Sequence, residues 1–131
     1  MNEVYELLKA AGTYYLATAE GDQPRVRPFG TVDVYNGRLY IQTARSKPVS
    51  AQIKQNPKVE LSAFHGGKVI RVAGTAIDDT DIEAERHMMA AYPFLQGRYT
   101  AGDGNNQVLW LKDATATIEA FPTGEKEEYK F

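Results

Sequence analysis

The chain has 131 residues, 43% hydrophobic and 24% charged, and a net charge of −2. That size and composition fit one globular domain spanning residues 1–131, and the charge balance excludes a nucleic-acid binder that works by bulk electrostatics. The absence of cysteine excludes disulfides, thiolate nucleophiles and Cys-based metal sites.

The acidic start, Met1-Asn2-Glu3, has no basic segment followed by an apolar one, and no stretch approaches the ~18 apolar residues of a membrane span. A cytoplasmic location is expected, with no membrane contact. Val4, Leu7, Leu8 and Ala11 repeat at helical spacing, and Gly12 stops that helix. Thr13 to Ala19 alternates as a strand. Glu20-Gly21-Asp22 is turn chemistry, and Arg25 to Tyr35 reads as one long second strand. Asn36-Gly37 tolerates positive φ at both positions, so Arg38 to Thr43 returns antiparallel. Ser46 is expected to cap a helix over Lys47 to Gln55, with Pro48 in its first turn and Pro57 beyond its end.

Val59 to Phe64 and Val69 to Ile77 read as strands around the turn His65-Gly66-Gly67-Lys68. Thr80-Asp81-Ile82-Glu83 has capping-box spacing, starting a helix that ends near Tyr92. Phe94 to Asn106 lacks periodicity and reads as a loop. Gln107 to Phe121 is a final long strand, interrupted by a bulge at Lys112-Asp113 because its alternation changes phase there. The tail, Gly124 to Phe131, is charged and expected to be exposed or weakly docked. Six strands in short hairpins with two or three helices predict a mainly β fold, a small antiparallel barrel.

Arg25 and Arg27 are two apart and share a strand face. Two readings are open: a solvated face, or guanidinium forks around an anion. Ser46-Lys47 opens a helix whose free N–H groups favour an anion, although alone it reads as an N-cap beside a surface lysine. Counting back from Asn36-Gly37 pairs Val34 with Arg38, Val32 with Tyr40 and Gly30 with Gln42. Arg27 then falls near Arg45-Ser46-Lys47, and this convergence of cations with a helix start points to a bound anion. Gln42 and Thr43 offer hydrogen bonds at the same corner. Trp110, the one tryptophan, either walls a bound ring or packs in the barrel core or an interface. His65 and His87 lack partners at metal-ligand spacing, so no metal is expected.

The series R-V-R-P-F-G, N-G-R-L-Y-I-Q-T and S-K-P-V-x-x-Q-I-x-x-N-P-x-V, running from Arg25 to Val59, resembles the pyridoxamine 5′-phosphate oxidase-like FMN-binding split barrels. It is most similar to the branch with the nitroimidazole-resistance (Nim) type proteins. The resemblance implies a six-stranded Greek-key split barrel and a homodimer with FMN at the subunit interface. It implies that Arg25, Arg27, Ser46 and Lys47 hold the phosphate. Gln42 and Thr43 would meet the ring edge or ribityl chain, and Val26 to Pro28 would back the ring. Trp110 and Arg98 would reach the flavin from the second subunit. The implied activity is a nicotinamide-driven reductase of small molecules such as nitroaromatics. The alternative is a protein that binds or stores FMN or haem without turnover, since some relatives bind haem or a deazaflavin. The vitamin-making oxidases end in a basic, Trp-containing segment. This chain ends Glu125-Lys126-Glu127-Glu128, so oxidation of pyridoxamine phosphate is not expected.

Overall fold

The computed structural model describes residues 1–131. The elements in chain order are α1 (Asn2–Ala11), β1 (Tyr14–Glu20), β2 (Gln23–Phe29), β3 (Asp33–Tyr35), β4 (Arg38–Ala44), α2 (Pro48–Gln55), β5 (Lys58–His65) and β6 (Lys68–Asp79). They continue with α3 (Ile82–Ala91), a 3-10 turn (Pro93–Gly97), β7 (Asn106–Ala120) and β8 (Lys126–Lys130). The fold is mainly β: an antiparallel split barrel with three helices. The strands run in the order β2-β1-β5-β6-β7-β4-β3, with β8 also on β7. No helix is long and apolar enough to cross a membrane.

Two features raise the strand count to eight. The expected strand over Arg25 to Tyr35 breaks between Phe29 and Asp33, because its halves have different neighbours. β2 pairs with β1, and β3 pairs with β4. Pro24 and Pro28 are tolerated on β2 because it is an edge strand, where a missing N–H interrupts no ladder. The second feature is the tail, which pairs with β7 as β8 from Lys126 to Lys130.

Alternation places Tyr14 and Leu16 of β1 inward and leaves Tyr15 out. They join Val4 and Leu8 of α1 and Leu61, Ile70 and Val72 of β5 and β6 in the barrel core. Burying each large aliphatic side chain contributes roughly 1.5–3 kcal/mol. A second cluster lies on the other face of β4 and β7, where Tyr40 and Val108 meet Met88 and Met89 of α3 and Leu95 of the 3-10 turn. β4 is therefore covered on both faces.

The Asn36-Gly37 hairpin forms as expected, with φ of 53° and 73°. Its register is one residue away from the count above: Tyr35 pairs with Arg38 and Asp33 with Tyr40. The two-residue loop closes directly on its flanking residues. The bulge in β7 also forms, with Asp113 at φ 52°. The β6–β7 register shifts between Ala73 and Thr75, opposite it. Gly74 suits the close approach there, since a Cβ would come 3.2 Å from Lys112 O and 3.3 Å from Ala114 Cα, tighter than most Cβ contacts. This kink divides one edge of β7 between β4 on Asn106 to Trp110 and β8 on Thr115 to Glu119.

Two caps differ from expectation. α2 starts at Pro48 after Lys47, with no side-chain cap, so Ser46 does not cap it. For α3 the cap is Asp81, not Thr80, its side chain accepting from Glu83 N.

Burial pushes the Tyr14 hydroxyl well above the ordinary tyrosine value near 10, with Tyr92 adding to the effect. Tyr40 is pushed up to about 12, first by burial and then by its hydrogen bond to Asp79. A folded pKa raised for an acid favours the neutral form, so this stability is complete below pH 10 and is lost as pH rises toward 12. Urea unfolding between pH 9 and 12 should show a loss of about 2–3 kcal/mol from Tyr40 alone. Tyr40→Phe should flatten that part of the profile; an unchanged slope in the variant would count against the assignment.

Candidate functional site

A cavity of about 390 Å³ opens where β2 ends, β4 ends, α2 begins and the 3-10 turn crosses over them. Six of the residues expected at a site line it: Arg27, Pro28, Gln42, Thr43, Lys47 and Arg98. Val49, part of the S-K-P-V series, also lines it, as do Thr31, Phe94 and Tyr99, which carried no recognisable signal in the sequence. Tyr99 and Phe94 fall in the stretch without periodicity. Thr31 lies in the break between β2 and β3.

Thr31 joins the two halves of the site. Its hydroxyl accepts from Gln42 N at 3.2 Å and donates to Gln42 O at 3.3 Å. Its carbonyl accepts from the buried Tyr14 hydroxyl at 2.6 Å. One short side chain thus ties the end of β2 to β4 and to the barrel core.

Arg27 is held by neutral acceptors only. Its guanidinium donates to Leu16 O at 3.2 Å, Thr18 Oγ1 at 2.8 Å and Gln52 Oε1 at 2.5 Å. Thr18 in turn donates to Gln52 Oε1 at 2.6 Å, so α2 and β1 together orient the group. Burial lowers the Arg27 pKa, and the charge of Arg25 lowers it further. Both effects disfavour the cation and would be relieved by a nearby anion. α2 starts at the same corner with no side-chain cap, but Pro48 has no N–H and Ser50 N donates to Lys47 O at 3.0 Å, so the helix start offers little beyond the Val49 N–H.

Four arginines outside the cavity are in ion pairs. Arg25 meets Glu20, Arg38 meets Asp79, Arg45 meets Asp78, and Arg86 meets Glu83. Arg27, Lys47 and Arg98, which share the cavity, have no carboxylate partner. Arg25 stands outside the cavity because Glu20 takes its guanidinium at 2.8 Å across the hairpin. Val26 is 68% exposed on the outer face of β2. Ser46 is turned to Asn105, whose Oδ1 accepts from Ser46 N at 3.1 Å. Trp110 lies in the second cluster with the Arg38 guanidinium 4.1 Å from its ring centroid, away from this chain's cavity.

Residues 1–118 match the pyridoxamine 5′-phosphate oxidase family. A NimC/NimA family protein from Clostridium acetobutylicum has a similar structure, with a TM-score of 0.95 and 40% identity over 100% of this chain and 93% of that one. Two more distant structures share the fold. One is a pyridoxamine 5′-phosphate oxidase-related, FMN-binding protein from Nostoc punctiforme, at TM-score 0.66 and 15% identity over 98% and 92% of the two chains. The other is an FAD-binding protein from Mesorhizobium loti, at 0.62 and 15% over 91% and 94%. A comparison with curated proteins gives no match. The chain therefore belongs to the pyridoxamine 5′-phosphate oxidase-like split-barrel family, in its NimC/NimA-like branch.

Proposed function

We propose that this chain binds FMN and acts as a cytoplasmic, FMN-dependent oxidoreductase of small molecules, taking electrons from a nicotinamide and passing them to an acceptor such as a nitroaromatic compound. The observation that carries this reading is the set of three cavity cations without carboxylate partners beside an uncapped helix start. Collecting such charges in one place is unfavourable unless an anion completes it. The cavity volume of about 390 Å³ lies within the roughly 300–1,000 Å³ of small-molecule sites.

In this reading Arg27 and Lys47 hold the phosphate at the start of α2, with Arg98 lining the same cavity. Gln42 and Thr43 meet the ring edge or ribityl chain, and the Val26 to Pro28 backbone supports the ring. Arg25 and Ser46 stand outside the cavity, Arg25 paired with Glu20 and Ser46 bonded through its backbone N–H to Asn105, and neither is given a phosphate contact. Bound FMN would supply acceptance of a hydride and its onward release. The protein's part is binding, orientation and exclusion of water. No acid or base in the cavity is assigned to the reaction.

The chain is proposed to work as a homodimer. Tyr15, Val26 and Phe64 stand 54%, 68% and 67% exposed. Register puts Ala17 opposite Val26 and Tyr15 opposite Ser62, so these side chains share the outer face of β1, β2 and β5. Large apolar side chains exposed together on one face mark an interface. A partner on that face would complete the wall of the flavin site, and Trp110 is the aromatic proposed to reach it from the second subunit.

Purified protein should be yellow and should release FMN on denaturation, with NADH or NADPH bleaching the bound flavin anaerobically and a nitroaromatic restoring its colour. Flavin that binds but resists both nicotinamides would favour a carrier over a reductase. Sedimentation should show a dimer, and Val26→Glu with Phe64→Glu should yield monomers that bind FMN at least tenfold more weakly. A wild-type monomer holding FMN tightly would contradict the shared site.

A further inference from the structure

A buried polar chain runs behind the cavity from α3 to β4. Glu85, only 6% exposed, accepts from Gly102 N at 3.2 Å and from Asn106 Nδ2 at 3.1 Å through the same oxygen. Asn106, 1% exposed, accepts at Oδ1 from Gln42 Nε2 at 2.8 Å. Gln42 Nε2 also donates to the Thr43 carbonyl at 3.0 Å.

The amide orientations follow from the partners. A backbone N–H can only donate, so Glu85 Oε1 is an acceptor. Asn106 must therefore turn its NH₂ to Glu85 and its carbonyl to Gln42. The Thr43 carbonyl, which can only accept, independently requires the Gln42 NH₂ on the same side. Both Gln42 N–H bonds are then used within the protein. Gln42 Oε1 makes no bond to the protein. It is not enclosed either, since Gln107 Oε1 is the buried side-chain polar atom without a partner. Gln42 lines the cavity. What it presents there is a fixed hydrogen-bond acceptor that cannot turn into a donor without breaking two buried bonds.

We infer that Glu85 and Asn106 are positioning residues that lock Gln42 Oε1 as an acceptor, so that the cavity selects a ligand whose ring edge carries an N–H donor. The inference rests on the flavin reading and sharpens it. The oxidised isoalloxazine ring has one N–H, the imide N3–H between its two carbonyls. A haem edge offers carboxylates, and their oxygens would meet Gln42 Oε1 acceptor to acceptor. An unmade bond at a buried polar group costs about 1–3 kcal/mol, so the lock discriminates against ring edges without the donor.

The test compares FMN with N3-methyl-FMN by quenching of flavin fluorescence, with riboflavin as a probe of the phosphate end. Wild type should bind FMN about tenfold or more tightly than the methylated form. Gln42→Leu keeps comparable bulk without the acceptor and should reduce that ratio to within about twofold of unity, leaving the FMN-to-riboflavin ratio as in wild type. Asn106→Leu removes the acceptor at one of the two Gln42 N–H bonds and so loosens the Gln42 amide. It should weaken FMN several-fold and lower the methylation penalty, again with the riboflavin ratio unchanged. A methylation penalty that persists in Gln42→Leu is steric and overturns the inference. So does an Asn106→Leu protein that matches wild type with all three ligands. Wild type that binds FMN and N3-methyl-FMN equally overturns the inference while leaving the flavin reading intact. Wild type that binds neither overturns both.

Discussion

Uncompensated positive charge at one corner of the barrel is the constraint on which the rest depends. A guanidinium that loses part of its hydration is costly unless its donors are satisfied. Arg27 meets that requirement with a carbonyl, a threonine hydroxyl and a glutamine amide. None of these neutralises it. The side chain is oriented, and its charge remains available. Glu20 and Asp78 neutralise Arg25 and Arg45 a few residues away, so the absence of carboxylates around the cavity is local.

The architecture serves that corner. β2 must leave its pairing with β1 and hand the chain to β3, and the cavity lies at this break. Thr31 holds the break closed by bonding the β4 backbone at Gln42. α2 directs its N-terminal end at the same point and sends Gln52 back to Arg27. On the far side, the bulge opposite Gly74 divides β7 between β4 and β8. The first half of β7 is thereby free to carry Asn106 beneath Gln42.

Much of this was legible from local pattern. Positive-φ turn residues located the β3–β4 hairpin, and a change of alternation located the bulge in β7. Spacing of two put Arg25 and Arg27 on one face, and pairing across Asn36-Gly37 brought Arg27 toward Lys47. Local pattern could not separate the two arginines, because Glu20 competes for Arg25 only once the first hairpin has formed. Ser46 looked like a cap because Ser commonly caps, but Asn105, 59 positions away, takes its backbone N–H. The β8 pairing of a charged tail is a tertiary choice, since no apolar face announces it. Glu85 and Asn106 were unreadable for a related reason. Each is polar and unremarkable alone, and their meaning lies in contacts 21 and 64 positions along the chain.

The central claim is that unpaired cations in this cavity await a phosphate, and calorimetric titration of flavin-free protein with FMN and riboflavin tests it most directly. FMN should bind on the order of a hundredfold more tightly than riboflavin, as two charge-assisted bonds of about 1.5–3 kcal/mol each would allow. Arg27→Ala with Lys47→Ala should remove most of that difference, and Arg25→Ala should preserve it. Equal affinities for the two flavins in wild type, or a preference for FMN that survives loss of both Arg27 and Lys47, would contradict the account.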